Sequence, residues 1–276
     1  MKILSCGAGM QSTALALMSC ENKKEIKYKE VPIYDAVIFC DLGSEPIWVY
    51  KQVDFIKNAC EDAEIPFYIL DTHLHQDYLN NFGKRRVVSI PFWSVDENGK
   101  KGKMMRNCTL DYKINEIIKF VKYKLLGYVK YQRVKNEDLK AHEMHLGFSL
   151  EEKYRCKENN HKMFVNKFPL VEMELTRADN YKYILEKWGL DTKASACCFC
   201  PFHTNYFFEY MKDNHKEQYQ SILEFDEMLE REQPNTKIRS KLYISKSRKR
   251  IKDLSDEDFK DKEVFDYRNK KIWNGF

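Results

Sequence analysis

The N-terminal segment joins a short apolar run to a helical pattern through a turn that contains Gly7 and Gly9. Glycines let the backbone approach an anion without a Cβ in the way, and the first N–H groups of a helix lack intrahelical acceptors. The turn is neither a Walker A loop, which needs Gly-Lys-Ser/Thr, nor a Gly-x-Gly-x-x-Gly dinucleotide-binding turn. The segment predicts a phosphate cradle. Three hydroxyl side chains add further donors: Ser5, Ser12 and Thr13.

Strand and helix patterns alternate along the next part of the chain. Residues 35–40 and 67–70 are apolar runs of strand length, and Pro46 suits the first turn of the helix between them. This alternation predicts an α/β fold with a parallel sheet and right-handed crossovers. Ligands of such sheets bind at the carboxyl ends of the strands, where the turn at 7–13 and the segment 41–45 are expected.

Composition narrows the class of protein only in part. The chain has 47 basic and 42 acidic residues among 276, a net charge of +5 that is too small to indicate nucleic acid by itself. Nine cysteines without a secretory signal predict a reducing, cytoplasmic compartment in which thiols are free or bound to metal. No apolar run is long enough to cross a membrane, so we expect no membrane partner.

The first turn also resembles a known motif, the pyrophosphate-binding PP-loop of the N-type ATP pyrophosphatases, in the adenine nucleotide alpha hydrolase-like superfamily. The usual form is Ser-Gly-Gly-x-Asp-Ser-Thr, and a Gln in place of the Asp occurs in the branch that resembles phosphoadenosine phosphosulfate (PAPS) reductase. The resemblance implies a HUP/Rossmann-like nucleotide-binding domain that binds ATP with Mg²⁺, and a catalytic role for Ser12. The residues that carry it are Ser5, Gly7, Gly9, Gln11, Ser12 and Thr13.

The segment Asp41-Leu-Gly-Ser-Glu45 is similar to the Asp-Thr-Gly-x-Glu stretch that follows the second strand in PAPS reductase-like proteins. The resemblance implies that Asp41 and Glu45 contact the nucleotide. Taken without it, the segment favours a turn cap for Asp41 and a solvated carboxylate for Glu45.

Two later segments carry basic residues in motifs that resemble the same family. Arg106-x-Cys108-Thr and Lys113-Ile match an Arg-x-Cys-Thr-x-x-(Phe/Tyr)-Lys-Ile motif, and Arg155 takes the place of the arginine in Gly-Ile-x-x-Asp-Glu-x-x-Arg. The resemblance implies catalytic roles for Arg106, Lys113 and Arg155 through neutralisation of phosphate charge. Ordinary surface roles are the alternative.

Cys197-x-x-Cys200 has the spacing of a bidentate metal clip, although a redox disulfide has the same spacing. No cysteine follows Cys200, so any further cysteine ligand must precede the clip. The resemblance pairs the clip with Cys108, and these three cysteines resemble the ligands of the 4Fe–4S cluster in the tRNA thiolases of this superfamily. Zn²⁺ completed by His203 or Cys156, and three thiols without metal, remain as alternatives.

The motifs of the resemblance are spread from residue 5 to residue 203, and we expect residues 1–203 to form a PP-loop ATP pyrophosphatase-like domain with an inserted flap at 72–105. Residues 204–276 are expected to form a helical, basic appendage. Basic clusters in the flap (84–86 and 100–103) and in the appendage (237–250) suit a polyanion, although solvated surfaces have the same composition.

The expected function is that of an ATP-dependent adenylating enzyme, a sulfurtransferase that modifies a nucleic acid base or backbone. Its expected partners are ATP, a tRNA or DNA acceptor and a sulfur-donor protein. A PAPS or APS reductase-like sulfonucleotide enzyme is the first alternative, but the Glu-Cys-Gly-x-His motif of that reductase does not occur near the C-terminus. A non-catalytic nucleotide-binding module with a structural zinc is the second.

Overall fold

The computed structural model describes residues 1–259. In chain order its strands are β1 (Lys2–Cys6), β2 (Ala36–Asp41), β3 (Phe67–Asp71), β4 (Trp93–Val95), β5 (Lys101–Lys103), β6 (His142–Leu146), β7 (Phe164–Lys167) and β8 (Lys241–Tyr243). Its α-helices are α1 (Met10–Lys24), α2 (Ile47–Asp62), α3 (Leu74–Asn81), α4 (Asn115–Phe120), α5 (Pro169–Glu172), α6 (Arg177–Trp188), α7 (Asn205–Asn214) and α8 (Lys216–Glu232).

These elements belong to two compact units. The first unit comprises Met1–Asp41, Ile47–Asp71 and Asn115–Ser195. Among the described residues, the second comprises Leu42–Pro46, Thr72–Ile114 and residues 196–259. The segment predicted as a flap and the residues that follow Ser195 therefore share a unit, whereas the sequence predicts a division at residue 203.

The first unit contains a five-stranded sheet in the order β3-β2-β1-β6-β7, in which every neighbouring pair is parallel. This confirms the predicted α/β fold with a parallel sheet. The chain runs outward from β1 to β3 and then crosses to β6, on the other side of β1. The strand order therefore reverses between β1 and β6, and such reversal points are where open α/β sheets bind ligands.

Helices flank this sheet. Helix α1 packs against α2 and α6. Ile117 of α4 and Val121 of the π-helical turn that follows it pack with Ile3, Ile38 and Met144 from three strands. The apolar face predicted from the helical spacing of residues 114–121 is confirmed for these two side chains, although part of the segment adopts π-helical geometry.

Strand β6 lies earlier in the chain than the apolar run 144–149 predicts, because it ends at Leu146. Gly147 and the residues after it leave the sheet and lead into a short 3₁₀ segment, Leu150–Arg155. The apolar side chain of Phe148 is therefore not part of the sheet core.

The second unit contains a three-stranded antiparallel sheet in the order β5-β4-β8. The sequence Asp96-Glu97-Asn98-Gly99 predicts a hairpin turn, and this turn joins β4 to β5. The Gly99 N–H donates to the carbonyl of Asp96 at 3.0 Å, and Gly99 has a φ of +76°. A strand over 87–93 is predicted, but β4 begins only at Trp93. The N–H groups of Ser89 and Ile90 donate to the Tyr78 hydroxyl instead of to a neighbouring strand.

Two helices, α7 and α8, replace the single helix that the apolar stripe at 205–231 predicts. His215, with φ −141° and ψ 63°, separates them. Phe225 of α8 stacks on Phe199 with a centroid distance of 4.5 Å and also packs against Phe92. These three rings form an aromatic core in the second unit. Within residues 1–259, no helix has the length and apolar character needed to span a membrane.

Candidate functional site

The turn after β1 is held by hydrogen bonds within its own backbone and side chains. The Ser12 hydroxyl accepts from the N–H of Gly7 at 3.1 Å and donates to the carbonyl of Gly9 at 3.2 Å. The Thr13 N–H donates to the same carbonyl at 3.0 Å, which starts α1. Ala8, at φ +52°, makes the sharp reversal between the glycines. Ser12 thus sets the shape of the loop, which agrees with its place in the predicted cradle.

A segment near the end of the first unit lies over this loop. A Cβ on Gly9 would be 2.7 Å from the Ser195 hydroxyl, so a larger residue at position 9 would force that hydroxyl to turn aside. The Gln52 side chain donates to the carbonyls of Ala8 and Lys193, at 2.5 and 3.1 Å, and accepts from the Lys193 N–H at 2.6 Å. Buried Gln52 therefore ties the loop to the segment that carries Ser195. The sequence reasoning missed both residues, because neither belongs to a recognised motif.

The carboxyl end of β6 closes on the loop from the other side. A Cβ on Gly147 would be 2.7 Å from the Ser12 nitrogen and 2.9 Å from the carbonyl carbon of Gln11. Gly147 thus brings β6 against the N-terminus of α1 at the point where the strand order reverses. The orphan N–H groups of that helix end and the loop share one edge of the sheet.

Glu152 connects this edge to two arginines. Its carboxylate, 4% exposed, accepts from the Gln11 amide at 2.8 Å and from the Arg177 guanidinium at 2.8 Å. It also pairs with Arg155. Two guanidinium groups therefore lie against one buried carboxylate beside the loop, and a second carboxylate, that of Glu151, accepts from the Arg177 backbone N–H at 3.2 Å.

Arg177 was not among the predicted site residues, because the pattern Thr176-Arg-Ala-Asp179 is fully explained as a helix cap. That cap is present: the Thr176 side chain accepts from the Asp179 N–H, and the Asp179 side chain accepts from the Thr176 N–H. The cap sets the start of α6 and so directs Arg177 to Glu152. Arg155 lies over the ring of Phe148, 4.4 Å from its centroid.

Three other residues predicted to contact the nucleotide are Ser5, Thr13 and Asp41. Ser5 lies on β1, in register with Ile38 and Leu146 of the neighbouring strands. Thr13 is fully buried, and within residues 1–259 its hydroxyl has no hydrogen-bond partner. Asp41 ends β2 and accepts from the Tyr50 hydroxyl at 3.1 Å.

Glu45 belongs to the second unit and is 1% exposed, so the solvated alternative is wrong. The preceding residue, Ser44, accepts at its carbonyl from the Cys198 N–H at 2.8 Å. Glu45 therefore lies beside the cysteine pair, and its negative charge contributes to raising the pKa values of Cys197 and Cys198.

Cys197 and Cys200 form a hydrogen-bonded pair in the second unit. The bond from the Cys197 thiol lowers the pKa of Cys200 to about 7, with further help from the Phe202 N–H and the charge of Arg106. The same bond and burial raise the pKa of Cys197. The arrangement stabilises one thiolate, which is the form that binds metal or attacks an electrophile.

Cys108 belongs to the same unit and is near enough to contribute to the raised pKa of Cys197. Its N–H donates to the carbonyl of Ser89 at 2.8 Å. The donor chemistry suits a thiolate-bound metal, with Cys197 and Cys200 as two adjacent ligands. As the side chains stand in residues 1–259, however, no three His, Cys, Asp or Glu residues form a group able to hold a metal ion.

His203 has a structural role beside the pair. Its Nε2 is 2.9 Å from the carbonyl oxygen of Cys197, and its ring stacks on Phe207 with a centroid distance of 3.5 Å. Desolvation lowers the pKa of His203 to about 4, so the ring stays neutral. A nitrogen bonded to the backbone of the clip is a poor candidate for the fourth ligand of zinc. Cys156, the other candidate, belongs to the first unit.

Arg106 and Lys113 both lie in the second unit. Arg106 is exposed and lies over the Phe202 ring, 5.3 Å from its centroid. Lys113 is partly exposed in the π-helical segment Leu110–Ile114.

No model of a known protein family matches this chain, and no curated protein matches it either. The fold and the loop nevertheless define a class. A parallel α/β unit has a glycine turn that leads from its first strand into a helix N-terminus, at the reversal of strand order. This arrangement is consistent with a Rossmann-like fold.

Proposed function

We propose that this protein is an ATP-dependent adenylating enzyme, an ATP pyrophosphatase of the PP-loop type, and that it transfers sulfur to a nucleic acid base or backbone. One observation carries the nucleotide part. The loop that Ser12 organises lies at the carboxyl end of β1, and Gly9 and Gly147 keep side-chain bulk away from it. An anion is the ligand that such a backbone surface attracts.

The proposed reaction has two steps. An oxygen of the acceptor attacks the α-phosphorus of ATP, the bond to the bridging oxygen breaks, and its electron pair leaves with pyrophosphate. A sulfur nucleophile then displaces AMP from the activated acceptor atom. Backbone N–H groups of the loop stabilise the charge that develops on the pyrophosphate in the first step.

The charge network around Glu152 supports this assignment. Arg155 and Arg177 face the same carboxylate as Gln11, a residue of the loop itself. We infer that the arginines neutralise phosphate charge and that Gln11 links them to the loop. Asp41, at the end of the neighbouring strand, would supply a carboxylate oxygen to Mg²⁺, and the ion would add positive charge that stabilises the phosphates.

The cysteines supply the proposed sulfur chemistry. We propose a 4Fe–4S cluster held by Cys108, Cys197 and Cys200, which would bind the sulfur atom before its transfer. The thiolate-stabilising contacts of Cys200 support this choice. Zinc on the same cysteines is the alternative, and it would make the site structural.

The finer architecture remains part of this proposal. We propose that residues 72–105 act as an inserted flap and that the residues from 204 onward act as a helical, basic appendage. Both segments belong to the second unit, whose three-stranded sheet takes β4 and β5 from the first and β8 from the second.

The proposal is tested by incubating the protein with ATP labelled at the α-phosphate, alone and with tRNA or DNA. AMP and pyrophosphate are the expected products, and ADP with inorganic phosphate would contradict the proposal. Anaerobic purification followed by metal analysis tests the cysteine site. Iron with acid-labile sulfide supports sulfur transfer, whereas zinc alone rejects the cluster.

A further inference from the structure

The three-stranded sheet of the second unit presents one face rich in lysine and aromatic side chains. Trp93 pairs with Lys103 on β5 and with Tyr243 on β8. Because cross-strand partners point to the same side of a sheet, these three side chains share a face. Lys103 is exposed, and both rings are partly exposed. Val95, two residues after Trp93 and on the same face, pairs with Lys101 on β5 and with Lys241 on β8, so these two lysines also lie on this face.

Cations and rings alternate in a row across this face. Arg106 and Lys103 lie over the Phe202 ring, 5.3 and 4.7 Å from its centroid. Lys103 also lies 5.4 Å from the centroid of Trp93, and Arg248 lies 5.1 Å from the same ring. We call the set Arg106, Phe202, Lys103, Trp93 and Arg248 the cation–aromatic row. The set combines cations, which attract phosphates, with aromatic rings, on which bases stack.

The row is held in place by its own backbone contacts. The indole N–H of Trp93 donates to the carbonyl of Pro201 at 2.7 Å. Arg248, at φ +60°, donates to the carbonyls of Ser94 and Gly102, each at 3.3 Å. A ring and a guanidinium fixed in this way lose little further entropy when a ligand binds.

Positive charge extends beyond the row into a depression of about 590 Å³. Its charged lining residues are Arg239, Lys241, Arg248, Lys249, Arg250, Glu230 and Asp253. Two of the cations are paired within the unit, Arg250 with Asp226 at 3.0 Å and Lys249 with Asp258 at 2.8 Å. Exposed Arg239 and Lys241 add positive charge beside Arg248, so an anionic ligand is complementary to this side of the sheet.

We propose that the cation–aromatic row binds a single-stranded polynucleotide, with bases stacked on Phe202 and Trp93 and phosphates beside the cations. Because an aromatic ring can stack on any base, binding should depend little on the nucleotide sequence. Because the bases of a duplex are already stacked on one another, the site should prefer single strands. The row begins at the cysteine pair, because the Phe202 N–H donates to Cys200. A role of the bound strand as the sulfur acceptor rests on the proposed function, whereas the binding itself does not.

The test is fluorescence anisotropy of labelled oligo-dT and oligo-U with the full chain at low salt, without ATP. Competitors are a duplex of equal length and an abasic strand with the same phosphates. The charge variant is Lys103→Glu, with Lys103→Arg as the conservative replacement. Lys182→Glu, at a 71% exposed lysine of α6, is the matched control. The stacking variant is Phe202→Leu.

We expect Lys103→Glu to weaken binding at least about tenfold, Lys103→Arg and Lys182→Glu to change it little, and Phe202→Leu to weaken it about fivefold or more. The abasic strand should compete poorly. The proposal would be overturned if the duplex or the abasic strand competed as well as the intact single strand. It would also be overturned if Lys103→Glu and Lys182→Glu lost equal affinity, or if the protein bound no oligonucleotide at low salt. Tighter binding of oligo-U than oligo-dT would assign the site to RNA, and the reverse to DNA. Strand binding without pyrophosphate release would refute only the proposed function.

Discussion

Gly147 and Ser12 approach so closely that a Cβ on Gly147 would be 2.7 Å from the Ser12 nitrogen, although 135 residues separate them along the chain (147 − 12 = 135). The contact joins the end of β6 to the start of α1. The nearest atoms belong to backbone, which cannot turn aside as a flexible side chain can. The loop after β1 therefore depends on the absence of a side chain at position 147.

Gly147→Ala should distort the loop. We expect a loss of stability of about 1–3 kcal/mol from overpacking, together with weaker ATP binding. Urea unfolding and ATP titration measure the two effects. Unchanged stability would show that the strand end and the helix do not approach each other in this way.

Gly9 and Ser195 allow a second test of the loop, with a built-in control. Gly9→Ala places a Cβ 2.7 Å from the Ser195 hydroxyl but 3.5 Å from the Ser195 Cβ. Removal of the hydroxyl should therefore relieve the clash. We expect Gly9→Ala to weaken ATP binding about tenfold, and the double variant Gly9→Ala/Ser195→Ala to recover the affinity of Ser195→Ala. Additive losses in this double-mutant cycle would contradict the contact.

Glu152 should matter for catalysis through Gln11 and the arginines. Glu152→Gln keeps the size of the side chain but removes the charge that Arg155 and Arg177 share. Pyrophosphate release should fall at least about tenfold, equivalent to about 1.4 kcal/mol. Glu186→Gln, at a carboxylate of α6 that is 62% exposed, is the control and should leave the rate unchanged. Equal rates for both variants would remove the network from the mechanism.

The stability of the second unit should fall in acid through His75. This ring stacks on Phe199 and Phe225, 5.1 and 5.5 Å between centroids, and burial lowers its pKa from the ordinary 6.5, partly opposed by Glu224. A lowered pKa in the folded state stabilises the protein above 6.5, and the contribution is lost as the pH falls through the folded value. His75→Phe keeps the stack without a titrating group.

The measurement is urea unfolding of both proteins at neutral pH and at about pH 5.5. The wild type should lose more stability on acidification than His75→Phe, since the other histidines titrate equally in both. Identical losses would mean that His75 is not held neutral by its stack.

Local patterns predicted the parts of the structure that local chemistry determines. The apolar run at 35–40, the glycine turn and the hairpin at 96–99 were recognisable, because strand length, turn residues and glycine conformations act within a few residues. The capping box of Thr176 and Asp179 was predicted for the same reason.

The long-range pairings were beyond such reasoning. Gln11 meets Glu152 across 141 positions, and Arg177 joins them only because the cap of α6 directs it there. Ser195 reaches the loop through the hydrogen bonds of Gln52, a residue in an ordinary amphipathic helix. The strand predicted at 87–93 does not form for a related reason. The backbone N–H groups of Ser89 and Ile90 donate to the side-chain hydroxyl of Tyr78, 11 and 12 positions earlier in the chain, instead of to a neighbouring strand.

The most direct measurement of the central claim is calorimetric titration of ATP into the wild-type protein and into Gly9→Val, with circular dichroism to establish that both are folded. A valine at position 9 would place its Cβ 2.7 Å from the Ser195 hydroxyl, and its two methyl groups would add further overlap that distorts the loop. We predict that the wild type binds ATP at one site and that Gly9→Val, still folded, binds it at least about tenfold more weakly. Equal affinity of the two folded proteins, or no ATP binding by the wild type, would contradict the claim that this loop is the nucleotide site.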